Sequence, residues 1–167
     1  MGLINAARDV RTIKRLLTQA EAEARGSGEE MPGPEHLLLA AIGLPDGTAA
    51  RALQRFGIDS PRLRAAIEEV HASALATAGI DVLHAPDSPP ALRGSATGPF
   101  RSTAQAQQVF QEAVALSTST KPRRLQGAHV VAAACDLRHG TVARALAALG
   151  VERDQLHEAA RAEVRLG

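Results

Sequence analysis

Apolar positions recur along this chain at steps of three and four, the spacing of a helix face rather than of a strand. Val10, Ile13, Leu17, Ala20 and Ala24 make one such stripe, predicting a helix from about Asn5 to Arg25 that stops at Gly26-Ser27-Gly28. Gly33-Pro34 then opens a second helix, with proline in the first turn where its missing N–H costs nothing. Leu37, Leu38, Leu39, Ala41 and Ile42 make that helix apolar almost all round, which predicts a central, buried element. Pro45-Asp46-Gly47 reads as a turn, and a third helix follows from a Thr48 N-cap to Phe56, closed by Gly57. Asp59-Ser60-Pro61 starts a fourth helix with Leu63, Ile67, Val70 and Ala74 inward, running to about Ala76. The stretch from Gly79 to Pro99 is rich in proline, glycine and serine and reads as an extended linker. Four more helices are expected at about Ser102–Thr118, Gly127–Leu137, Thr141–Leu149 and Glu152–Val164. No segment alternates apolar and polar positions over a strand length.

The last four helices repeat the first four. At a constant offset of 93 residues His36 falls on His129, Leu44 on Leu137, Ala50 to Leu53 on Ala143 to Leu146, Gly57 on Gly150 and Leu63 on Leu156. A register held without a gap implies two copies of one unit packed about an approximate two-fold axis. The expected fold class is therefore all-α, eight helices in two four-helix repeats, with residues 1–78 and 100–167 as the repeats, 79–99 as linker, and one compact domain overall.

Composition narrows the function. Of 167 residues 45% are apolar, 22% charged and only 2% aromatic, which suits close helix packing on Ala, Leu, Val and Ile. The formal net charge is +1, which gives no case for nucleic acid or an anionic membrane. Lys121, Arg123 and Arg124 form one small basic cluster without neighbouring aromatics and read as a solvated loop. No apolar run approaches the roughly 20 residues of a membrane span and no signal peptide opens the chain, so a cytoplasmic location is expected. The single cysteine, Cys135, excludes an internal disulfide and reads as buried filler.

Catalytic patterns are missing. There is no phosphate-cradling loop and no paired-histidine zinc spacing, so neither a cofactor nor a metal is expected. Of six histidines only His36 and His129 hold matched places, each in the first turn of a buried helix and with no shared nucleophile or carboxylate partner. Their expected role is structural, bonding a neighbouring loop carbonyl and fixing the start of the helix. Glu35 lies in the same turn, where free N–H groups and the helix dipole favour an anion. Two readings stay open for it: a surface carboxylate complementing the dipole, or a carboxylate at a groove edge that grips a cation such as an arginine. Its counterpart is Ala128, so whatever Glu35 does is done once.

The stretch GPEHLLLAAIGLPDGTAARALQRFGID resembles the N-terminal repeat of the Clp ATPases, the double repeat of ClpA and ClpC. Gly33, Glu35, His36, Leu38, Leu39, Ala49, Ala50, Leu53, Gly57 and Ile58 fall on its pattern, and the second copy keeps His129, Ala143, Leu146, Gly150 and Val151. The resemblance implies an eight-helix, non-catalytic module that recruits substrates and adaptors to a Clp unfoldase. It also implies phosphoarginine recognition, with the glutamate of the family's G-T-E-H motif on the guanidinium; carried over, that is Glu35. Pro34 stands where the family has threonine, and Ala128 where the second glutamate would be. The family's hydrophobic surface between the first helix and the start of the second repeat implies Leu3, Val10, Phe100 and Gln105 as contacts for a partner or a cyclic-peptide small molecule; Phe100 also reads as a linker aromatic folded onto the core. With no ATPase module after Val164, the sequence reads either as an excised domain of an unfoldase or, the better fit, as a free-standing protein that assists or competes with a ClpC-like unfoldase; the alternative function is a self-associating structural scaffold.

Overall fold

A computed structural model describes residues 2–79 and 101–166 of the chain. They form eight helices and, among the described residues, no strand: α1 (Gly2–Gly26), α2 (Pro34–Ile42), α3 (Thr48–Gln54), α4 (Ser60–Thr77), α5 (Ala104–Ser119), α6 (Gly127–Cys135), α7 (Thr141–Ala148) and α8 (Arg153–Leu166). The linker expected at 79–99 falls, beyond Gly79, outside the described residues.

The two short apolar helices are the centre. Every residue of α6, and α2 from Pro34 to Ala41, is buried. They pack on each other, with Gly127 at the start of α6 against Ala41 at the end of α2. A β-carbon at Gly127 would stand 2.8 Å from the Ala41 carbonyl oxygen and from the Ala49 side chain, so glycine is what lets α6 come this close. Around this pair α1 packs on α2, α5 on α6, and α8 on α6. The repeats interlock: α3 packs on α8 of the other repeat, and its counterpart α7 packs on α4. Exchanging α1–α4 with α5–α8 maps one contact onto the other, which is the approximate two-fold relation expected from the duplicated register.

Local chemistry sets the helix ends. Asp59 caps α4 by accepting from the Arg62 N–H, and Thr103 caps α5 by accepting from the Ala106 N–H. Gly57 and Gly150, at φ +68° and +72°, close α3 and α7 in the left-handed conformation that favours glycine. Thr48 is not the N-cap of α3; Gly47 is. The Thr48 hydroxyl is used elsewhere: it donates to Asp46 and accepts from the Ala128 N–H, while Asp46 accepts from the Gly127 N–H at 3.2 Å. The first repeat's turn thus caps the second repeat's central helix.

The stripe of α1 also differs. Leu16, Ala20 and Ala24 are buried, Ile13 and Leu17 pack beside them, and Val10 is 65% exposed. At about 100° per residue Val10 lies some 120° round the helix from Leu16, outside the buried arc. Among the described residues no helix is long and apolar enough to cross a membrane.

Candidate functional site

The first turn of α2 carries the residues singled out by sequence. His36 is buried at 2% exposure and works through both ring nitrogens. Nδ1 accepts from the Gly33 N–H at 2.9 Å, which leaves the proton on Nε2. Nε2 therefore donates to the Ser27 hydroxyl at 3.1 Å, and Ser27 donates onward to the Ala24 carbonyl at 2.9 Å. One imidazole thus ties the end of α1 to the start of α2. In the second repeat His129 Nδ1 accepts from the Gln126 N–H at 3.0 Å and Nε2 donates to the Thr120 hydroxyl at 2.9 Å. The partner is a backbone N–H and a hydroxyl in each copy, not the loop carbonyl expected from sequence. Burial holds both rings neutral: the pKa of His36 is pushed down to about 4 and that of His129 is lowered, desolvation being the leading cause in each.

Glu35 is 5% exposed, so it is not the surface carboxylate that one of the two readings expected. Its carboxylate turns back over Gly33, so closely that a β-carbon there would lie 2.7 Å from Oε2. Oε1 is 4.0 Å from His36 Nδ1 and 3.8 Å from Nε2 of His71, a half-exposed side chain of α4. The other nitrogen of His71 is 3.6 Å from Glu29 in the α1–α2 loop. The pKa of Glu35 is raised, chiefly by desolvation, against a lowering backbone hydrogen bond; Glu29 raises it further and His71 lowers it. Glu29, Glu35 and His71 bring one ligand atom each within 4.8 Å of one another, and are the described residues best placed to hold a cation. A depression of about 320 Å³ opens beside them, lined by Ser27, His36, Leu39, Arg64, Ile67 and His71 among others.

The remaining predicted contacts are not gathered there. Val10 is exposed on α1. Gln105 is exposed on α5, its carboxamide 3.0 Å from where a β-carbon of Gly140 would be. The helices bearing them each pack on α2 rather than broadly on one another. Phe100 and the Leu3 side chain lie outside the described residues. Cys135 is buried at 5% exposure in α6, its thiol pKa pushed up to about 12 by burial, so it is held as the unreactive thiol. Sequence reasoning missed Glu29 and His71: they reach Glu35 from a loop and from α4, and no local spacing signals that meeting.

Fold and site together define a duplicated helical bundle with a buried carboxylate at the start of its first central helix. Residues 11–83 match the family described as Clp repeat (R) N-terminal domain. A stretch of 51 residues, 30% of this chain, is 43% identical to the ATP-dependent Clp protease ATP-binding subunit ClpA homolog of Trieres chinensis, and covers 6% of that protein's length. The N-terminal domain of the caseinolytic protease associated chaperone ClpD from Arabidopsis thaliana has a similar fold, with TM-score 0.58, 23% identity, and 95% of this chain and 92% of that one covered. The described helices therefore share the fold of a Clp N-terminal domain, and the family match covers residues 11–83, less than half of the chain.

Proposed function

We propose that this chain is a recruiting module for a Clp-type protease, holding peptide or adaptor segments by equilibrium binding. Residues 1–78 and 100–167 act as one compact domain joined by the linker 79–99. The observation that carries the reading is the buried Glu35 carboxylate, 3.8 Å from the half-exposed His71. His71 lies between two acids, Glu29 and Glu35, which is the place a guanidinium would take. A ligand arginine, free or phosphorylated, would displace His71 and pair with both carboxylates. Exposed Val10, with Leu3, Phe100 and Gln105, would supply the apolar contact for a protein partner or a cyclic peptide. The module works in the cytoplasm, beside a ClpC-like unfoldase, delivering clients to it or competing for them.

Calorimetric titration with a phosphoarginine peptide tests this. Glu35→Gln should weaken binding by about tenfold, the scale of a lost charged hydrogen bond. His71→Ala should tighten it by removing the side chain that the ligand must displace. Affinity unchanged by both substitutions would remove this cluster from the ligand site.

A further inference from the structure

A second cleft, of about 400 Å³, lies on another face, between α1, the α2–α3 turn and the segment leading into α6. Its walls carry five arginines: Arg8, Arg11 and Arg15 from α1, Arg51 from α3 and Arg124 from the basic cluster before α6. The chain as a whole has a net charge of only +1, so this is a local concentration of positive charge. Two acids, Asp9 and Asp46, share the cleft, but both are committed to backbone. Asp9 accepts from the Leu125 N–H at 3.0 Å, and Asp46 from the Thr48 and Gly127 N–H groups at 2.9 Å and 3.2 Å. Arg51 is bonded to Glu163. Arg8, Arg11 and Arg15 are exposed, stand at i, i+3 and i+7 on one face of α1, and have no ion-pair partner among the described residues.

An unpaired carboxamide lies among them. Gln126 lines the cleft at 1% exposure, and both polar atoms of its carboxamide lack a hydrogen-bond partner. Its backbone is already used, the N–H on His129 Nδ1 and the carbonyl on the His129 N–H. A buried carboxamide with both ends unpaired is uncommon in a folded protein and calls for a partner offering one donor and one acceptor side by side. A peptide backbone offers both.

We propose that this cleft binds an acidic peptide segment of a partner protein, its carboxylates on Arg8, Arg11 and Arg15 and its backbone on the Gln126 carboxamide. A shallower depression with Lys14 and Gln19 continues the basic surface along α1. From Arg8 to Gln19 α1 rises about 16 Å, the length of about five extended residues. Recognition here is independent of Glu35: that site takes a cation, this one an anion. No aromatic side chain lines the cleft, so bases of a nucleic acid would find nothing to stack on.

The test is titration of the full chain with a capped six-residue peptide of alternating aspartate and glutamate. The comparison probes are the matching asparagine–glutamine peptide, inorganic phosphate and a six-nucleotide single strand. The acidic peptide should bind, with affinity falling as salt rises, and the amide peptide should not. Arg11→Gln with Arg15→Gln should cost about tenfold or more and flatten the salt dependence. Gln126→Leu should weaken binding while leaving the salt dependence intact. Glu35→Gln should leave it unchanged, which separates this site from the one on α2. Should Gln126→Leu fail to fold, the arginine variants, which alter only an exposed helix face, decide the matter alone. Absence of binding, indifference to the arginine substitutions, or equal or tighter binding of phosphate or the oligonucleotide would overturn the proposal.

Discussion

At the scale of single residues, the two buried histidines tie the stability of the molecule to pH. Each imidazole accepts a backbone N–H on one side and donates to a hydroxyl on the other, which only the neutral ring can do. The folded state therefore binds protons on these rings more weakly than the unfolded chain does. Stability is full above pH 6.5 and is lost as pH falls toward the folded value of His36, about 4. For that ring alone the loss is about 3 kcal/mol. Glu35 acts in the opposite sense: its raised pKa makes its ionisation a burden as pH climbs past the ordinary carboxylate range. Thermal melts between pH 7 and 4 should show Tm falling with acid, with a shallower fall in His36→Gln than in the native sequence. A slope unchanged by the substitution would mean another group governs the acid limb. The importance of these histidines was legible in the sequence because both copies keep them; their hydroxyl partners were not, since Ser27 and Thr120 each lie nine residues upstream, across a loop.

At the scale of elements, the hydrophobic periodicity placed all eight helices. Their ends fall within a few residues of the expected bounds. Thr48 looks like an N-cap because hydroxyls favour that position, yet its hydroxyl serves α6. Val10 fits the stripe of α1 by spacing, but the buried arc centres on Leu16. Gly127 shows what the helix–helix approach demands. Gly127→Ala improves helix propensity, but its new methyl would have to displace backbone at Ala41 and the side chain of Ala49. The expected result is destabilisation by about 1–3 kcal/mol in chemical denaturation, the scale of overpacking a tight core. A variant as stable as the native chain would mean that α2 and α6 can separate without cost.

At the scale of the whole molecule, the repeats are held together partly by charge. Glu163 of α8, 4% exposed, bonds Arg51 of α3 at 2.8 Å and also Arg55, which follows the end of that helix. The Arg51 hydrogen bond is the first cause holding its carboxyl below the ordinary range. That contribution is present above the usual carboxylate pKa and disappears in acid. Both guanidinium groups are half-exposed, so Glu163→Gln should cost about 1–2 kcal/mol, less than a fully buried pair would. The deficit, read as the shift in denaturation midpoint, should shrink in high salt; a salt-independent deficit would point to packing instead. Neither this pair nor the arginine-lined cleft could be read from the sequence: Glu163 is 112 residues from Arg51, and the cleft joins α1 to the segment before α6, groups that meet only when the halves interlock.

The turn at Asp46 and Thr48 has one more implication. By seating its own oxygens on the first N–H groups of α6, the chain supplies that helix with a permanent tenant. The later copy is thereby released from any duty to welcome a visitor at that spot, and alanine at 128 carries no penalty there. Duplication has in this way given the molecule two unlike faces: one whose helix start keeps its acid, and one that is plugged from within and left free to collect arginines around the plug.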